Sequence, residues 1–293
     1  MISFSGMGVA LVTPFNSNGS VDYNSLSALV TSLSNKGVDY WVVLGTTAES
    51  STLTAQEKAK VLQTVIESNH KNLPIVLGAG GNDTRALCEQ LRTQDLRGVD
   101  ALLSVVPYYN KPTQEGLYQH FAAIAQSTEL PILLYNVPSR SGVGLAVDTI
   151  VRLANDFDTI IGIKEASGDL VYLTDLISRV PEDFTVTSGD DFTAIPAIYL
   201  GASGVISVIG QGVPELFSSG IRAALNRDIS AANKVHRSIQ HFSRLVFEQG
   251  NPSGIKACLT IQGLIENQLR LPLIPVSESL KQGIETELKN LEK

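Results

Sequence analysis

Short runs of Val, Ile and Leu alternate along this chain with longer stretches in which apolar residues recur every three or four positions. The first pattern predicts strands and the second predicts amphipathic helices. Strand-like runs fall at Gly8–Thr13, Tyr40–Thr46, Ile75–Gly80, Ala101–Val106, Ile132–Val137, Thr159–Lys164, Thr185–Ser188 and Gly204–Val208. They are apolar on both faces, as parallel strands covered by helices must be, whereas half-exposed antiparallel strands would alternate polar with apolar. Between them lie candidate helices such as Thr54–His70, Thr84–Arg97, Thr113–Ser127 and Leu170–Arg179, several opening on Asp, Ser or Thr in cap position. The count of parallel strands is the one that closes a TIM (β/α)8 barrel. After Pro214–Asn226 the β signal stops, and helical patterns follow near Ser230–Phe247, Pro252–Asn267 and Ser277–Leu291. The domain reading is therefore a catalytic barrel over residues 1–226 and a C-terminal helical extension over 227–293. A doubly wound open sheet shares the βαβ rhythm, but its dinucleotide fingerprint is absent.

At 293 residues with 43% hydrophobic and 17% charged positions, the chain is long and apolar enough for one large core. No apolar run approaches the ~18 residues of a membrane span, and the start at Met1–Met7 lacks the basic and apolar regions of a secretory signal. A soluble, cytoplasmic protein is expected. A formal charge of −7 argues against a nucleic-acid partner. Cys88 and Cys258 have neither metal nor redox spacing and read as small buried hydrophobes.

Reactive groups in such a barrel gather at the C-terminal ends of the strands. Lys164 follows the apolar run Ile160-Ile161-Gly162-Ile163, where a cation is expensive to bury. One reading is an amine whose charged form burial disfavours, leaving a nucleophile for a keto acid. The other is a strand-end lysine reaching solvent or pairing with Glu165, and on position alone the two stand even. Tyr135 shares a pleat face with Leu133, so if that face lines the barrel its hydroxyl joins Lys164 inside. It then passes protons, with Thr46 as a relay, or else it is a core aromatic with a satisfied hydroxyl. Thr46-Thr47 offers hydroxyls and N–H groups for a small carboxylate, or forms an ordinary strand-to-helix turn. Arg140, on a loop at the mouth, suits a second carboxylate or is a solvated loop arginine.

Other chemistries find less support. The cluster Gly78-Ala79-Gly80-Gly81-Asn82 lacks the spacing of a phosphate or dinucleotide loop and reads as a tight turn. His70, His120, His236 and His241 show no metal-ligand spacing, so surface or packing roles and no catalytic metal are expected. No Gly-x-Ser-x-Gly elbow marks a serine hydrolase.

Four segments carry a resemblance: Gly45-Thr46-Thr47-Ala48-Glu49-Ser50, Pro107-Tyr108-Tyr109-Asn110-Lys111-Pro112-Thr113-Gln114-Glu115-Gly116, Tyr135-Asn136-Val137-Pro138-Ser139-Arg140 and Gly162-Ile163-Lys164-Glu165-Ala166-Ser167-Gly168. With Ser188-Gly189-Asp190-Asp191, Gly204-Val205-Ile206-Ser207-Val208 and Asn251-Pro252 with Lys256, they run almost the whole chain. In that order they resemble the dihydrodipicolinate synthase family, within the N-acetylneuraminate lyase and class I aldolase superfamily. The resemblance implies a cofactor-free condensation of pyruvate with aspartate semialdehyde, in lysine (diaminopimelate) biosynthesis. It implies an imine on Lys164 and a proton relay of Tyr135, Thr46 and Tyr109, the last reaching in from a neighbouring subunit. Thr47 and the backbone of Ile206 would hold the pyruvate carboxylate, Arg140 the semialdehyde's. A homo-oligomer follows, a dimer at least and by the family's habit a tetramer.

Departures from the family pattern carry expectations too. Ala48 stands where many relatives have glycine, and would strain the turn if positive φ is needed there. Ala55, Lys58 and Ala86 replace residues that contact lysine in inhibited relatives, which implies weak or absent inhibition by lysine. The rival within the superfamily is an N-acetylneuraminate lyase or keto-deoxy-sugar-acid aldolase, and Arg140 favours the semialdehyde because a polyhydroxy substrate has no second carboxylate there. A keto-acid sensor would not need Lys164, Tyr135, Thr46 and Tyr109 together. A phosphate-binding isomerase would want a better cradle than Gly210-Gln211-Gly212.

Overall fold

The structure, a computed structural model, describes residues 4–291. Met1-Ile2-Ser3, part of the start on which the no-signal expectation rests, lies outside them. Its strands are β1 (Gly6–Ala10), β2 (Tyr40–Val43), β3 (Ile75–Gly78), β4 (Ala101–Val105), β5 (Ile132–Asn136), β6 (Ile160–Glu165), β7 (Thr185–Ser188) and β8 (Gly204–Ser207). They form a closed barrel in chain order, as the two-sided apolar pattern predicts. The helices are α1 (Tyr23–Ser34), α2 (Ala55–Ser68), α3 (Thr84–Thr93), α4 (Gln114–Ala125), α5 (Pro138–Ser141), α6 (Val147–Asp156), α7 (Leu170–Arg179), α8 (Ala194–Tyr199), α9 (Pro214–Leu225), α10 (Ile229–Glu248), α11 (Ser253–Ile261) and α12 (Glu278–Leu291). Among the described residues no helix is long and apolar enough to cross a membrane.

The chain divides into two compact units, one built on Pro74–Ile206 and the other on Gly6–Leu73 with the segment from Ser207 onward. In the first, β4 pairs with β5, β5 with β6 and β6 with β7, all parallel. Gly162 in β6 makes close strand approach possible: a Cβ there would sit 2.4 Å from the Thr185 carbonyl oxygen and 2.9 Å from the Leu133 side chain. His120 on α4 is buried, its Nδ1 2.8 Å from the Thr84 hydroxyl, and burial pushes its pKa down to about 4. It is therefore a neutral packing histidine near pH 7, as its spacing suggests. Cys88 and Cys258 are buried free thiols, and burial pushes the Cys258 thiol up to about 12.

In the second unit β1 pairs in parallel with β2. Helix α2 starts with a capping box: the Thr54 hydroxyl accepts the Glu57 N–H at 3.2 Å and the Glu57 carboxylate accepts the Thr54 N–H at 2.9 Å. Helix α11 is buried from Ser253 to Leu259, and Gly254 lets it approach α10 closely, since a Cβ there would lie 1.9 Å from the Val246 carbonyl oxygen. The predicted helix from Pro252 to Asn267 ends early, at Ile261, where the backbone turns through Gly263 at φ 72°.

Candidate active site

In the first unit the barrel register puts Tyr135 of β5 beside Lys164 of β6. Paired residues of neighbouring strands share a face, and the Lys164 amine lies 4.5 Å from the centroid of the Tyr135 ring. Lys164 is 6% exposed and Tyr135 7%. A buried cation facing a ring gains some electrostatic support without an anionic partner. Glu165, the alternative partner, points elsewhere. Its carboxylate accepts the Asn136 amide at 2.7 Å and the Ser167 N–H at 2.6 Å, while burial pushes its pKa up against those bonds. Asn136 in turn accepts the Leu145 N–H at 3.0 Å, so this outward network pins the ends of β5 and β6 and leaves Lys164 free to face inward.

Of two neighbours of Lys164, Thr187 was not singled out by its sequence position, and Gly189 stood in a recognised motif without a role of its own. Thr187 of β7 is the register partner of Lys164, and its buried hydroxyl has no hydrogen-bond partner among the described residues. Gly189 supplies clearance: a Cβ there would lie 2.6 Å from Lys164 Cε and 2.6 Å from the Ala166 Cβ. Since Lys164 is held by β6 and Gly189 by a 2.6 Å bond from its N–H to the Glu165 carbonyl, neither backbone can simply recede. With Lys164 read as the imine-forming amine, Gly189→Ala is expected to lower kcat by about 10- to 100-fold, the scale of a displaced reacting group, with secondary structure unchanged. Pyruvate-dependent borohydride trapping on Lys164 reads this directly, and trapping at the wild-type rate would remove the steric argument.

The remaining predicted residues of this unit occupy the loops and β8. Arg140 sits in the single helical turn α5 instead of an open loop, exposed, with the turn closed by Gly142 at φ 74°. Pro138 explains the difference, because it opens a helix with φ already set. Tyr109 is 88% exposed with its backbone at φ 75°, an unusual conformation for an aromatic residue. Ile206 is buried within β8.

Thr46 and Thr47 belong to the second unit, in a 3-10 turn over Thr46–Ala48. Thr46 is exposed, and Thr47 is buried with its hydroxyl accepting the Asn251 amide at 3.0 Å. The strain expected at Ala48 is absent, for the positive φ falls one residue on, at Glu49 with φ 52°. Glu49 is buried 2.5 Å from the amine of Lys256, itself fully buried. The cost of burying Lys256 pulls its amine down to about 8, opposed by the carboxylate of Glu49. A lysine inside the apolar helix Ser253-Gly254-Ile255-Lys256-Ala257-Cys258 was the signal that marks this pair in the sequence.

A closed (β/α)8 barrel with an inward lysine on β6 against a tyrosine on β5 defines a lyase of the class I aldolase type. The chain belongs to the dihydrodipicolinate synthetase family, whose model matches residues 3–291. It is 49% identical over 99% of its length, and 98% of the relative's, to the 4-hydroxy-tetrahydrodipicolinate synthase of Parabacteroides distasonis. Among solved structures it resembles a dihydrodipicolinate synthase of Bacillus anthracis, with TM-score 0.94, 39% identity and 99% of each chain covered. It also resembles the chloride-inhibited dihydrodipicolinate synthase of Acinetobacter baumannii solved with pyruvate, with TM-score 0.95, 41% identity and 99% of each chain covered.

Proposed function

We propose that this chain condenses pyruvate with L-aspartate 4-semialdehyde to 4-hydroxy-tetrahydrodipicolinate through an imine on Lys164. The observation that carries the reading is the buried Lys164 amine 4.5 Å from the Tyr135 ring on the adjacent strand. The amine adds to the pyruvate ketone and water leaves, giving an iminium. Loss of a methyl proton yields an enamine, whose carbon attacks the aldehyde, and the aldehyde oxygen takes up a proton as the new hydroxyl. The amino group of the former semialdehyde then adds to the imine carbon and displaces Lys164, closing the ring. No external redox group is needed.

The roles of the other residues follow their motifs. Tyr135, Thr46 and Tyr109 relay the protons that these steps release and consume. Thr47 and the Ile206 backbone hold the pyruvate carboxylate, and the Arg140 guanidinium takes the semialdehyde's carboxylate in a fork. An aromatic side chain 88% exposed on a strained backbone supports a partner-subunit role for Tyr109. A dimer is then the minimum assembly and a homotetramer the expected one, working in the cytoplasm on lysine (diaminopimelate) biosynthesis.

The test is semialdehyde-dependent consumption of pyruvate by the purified protein, run beside sialic acid and keto-deoxy sugar acids. Turnover with the semialdehyde alone supports the assignment. Cleavage of a sugar acid instead would keep the imine and remove both the substrate and the role of Arg140. Ala55 and Ala86 are exposed and Lys58 is half-buried, and a cation at Lys58 would repel a cationic effector. Lysine at millimolar concentration is accordingly expected to leave at least half the rate intact. Complete inhibition at that level would overturn this reading.

A further inference from the structure

The turn that carries Thr46 and Thr47 is short, and it is held from outside itself. A 3-10 turn has poor hydrogen bonds of its own, and this one runs directly into a second, Ser50–Thr52, with Glu49 as the hinge at φ 52°, ψ 35°. A residue with a Cβ persists in that left-handed conformation only where its surroundings over-determine it. The surroundings do so here. The Glu49 N–H donates to the Thr46 carbonyl at 3.1 Å, and its own carbonyl accepts the Thr52 N–H at 3.0 Å. Its carboxylate is fully buried, in contact with the Lys256 amine at 2.5 Å and accepting the backbone N–H of Arg270 at 3.0 Å.

Both cations are tied down in turn. Lys256 donates to the Gln268 carbonyl at 3.0 Å and lies 4.1 Å over the Phe15 ring. The Arg270 guanidinium donates to the carbonyls of Gly19 at 2.8 Å and Thr52 at 2.8 Å. It also forks onto Glu57, at 2.5 and 2.9 Å. That attraction holds the Glu57 carboxyl at about 2, well below the usual carboxylate range, while Glu57 still caps α2. Two acids and two bases thus balance around one turn. Apolar side chains of equal volume commonly stabilise such a place as well as a buried ion pair does, so stability alone gives no reason for this one; directional bonds do.

We propose that Glu49, Lys256 and Arg270 are positioning residues for the condensation. The segment from α11 to Arg270 braces the Thr46–Thr47 turn, which gives the C-terminal extension a part in catalysis. The proposal rests on the reading of Thr46 and Thr47 as relay and carboxylate-binding residues.

The test is the pair substitution Glu49→Gln with Lys256→Met, which removes both charges together and keeps the volume. It is introduced into the wild-type chain and into Thr46→Val/Thr47→Val. In the wild-type background, assayed well below the unfolding temperature, kcat is expected to fall about 10- to 100-fold and the pyruvate KM to rise, as for a misplaced reacting group. In the threonine-less background the same pair should cost less than about twofold, because nothing remains to be positioned. Equal losses in both backgrounds would mean a purely structural role and overturn the proposal while leaving the threonines' role intact. A threonine-less enzyme with wild-type kcat and KM would remove the reading of the threonines, and the brace with it. If the pair variant does not fold, Arg270→Lys, which keeps the charge and loses the fork, is judged by the same outcomes.

Discussion

Replacing Lys164 with alanine is expected to abolish the semialdehyde-dependent consumption of pyruvate, a loss of about 10^4-fold or more of the kind seen when a covalent nucleophile is removed. No neighbouring group can substitute, because an imine needs a primary amine at that point on β6. Lys164→Arg should be equally silent, since the guanidinium keeps the charge without the nucleophile. Neither variant should lose its fold, for among the described residues Lys164 has no ion-pair partner whose charge would be stranded; Glu165 is satisfied by Asn136 and Ser167. The measurement is borohydride trapping of pyruvate followed by mass mapping, alongside the rate assay. It also decides between two buried lysines. Judged by its lowered pKa of about 8, Lys256 is the more conspicuous candidate. It is 0% exposed and in contact with Glu49, whereas Lys164 faces an aromatic ring and forms no ion pair among the described residues. A trapped adduct on Lys256 would overturn the assignment of the nucleophile.

Lys256→Met by itself should destabilise the protein by about 3–5 kcal/mol, because it strands the Glu49 carboxylate in a site with no exposure. For a chain of this size that corresponds to a fall in Tm of roughly 5–15 °C. Adding Glu49→Gln should recover much of the loss, since an uncharged amide replaces the stranded carboxylate. Calorimetry on the single and double variants checks both steps. A single variant within about 2 °C of wild type, outside the range expected for a stranded buried charge, or a double variant lower than the single, would remove the ion pair from the account of stability.

The fold was legible because burial leaves a local signature. Strand β7 matches its predicted span, and the other strands begin or end within a few residues of theirs, since each apolar run is the buried pleat itself. Where the prediction fell short, the signal was weak or overridden. Helix α6 begins at Val147 behind Ala146, which offers no side-chain cap, α8 is a six-residue turn, and α5 is a single turn that Pro138 starts and Gly142 stops. Helix α1 is readable in the same way, with Leu26, Leu29, Val30 and Leu33 at helical spacing behind the cap Asp22.

The candidate site divides the same way. Lys164, Tyr135, Arg140 and the threonine pair are recognisable one at a time, because each stands at a strand end or in a motif. By itself the sequence determined the barrel and the family, and it pointed to Lys164 as the candidate nucleophile. Only the tertiary structure decided that Tyr135 lies in register with Lys164, that Gly189 clears space for it, and that Glu165 turns away. It also decided the brace, where Arg270 meets Glu49 across 221 residues and Asn251 meets Thr47 across 204. Hydrophobic period reports what each residue buries against its own element. Partners so distant in sequence are chosen by strand register and helix packing, and nothing in their local pattern records the choice.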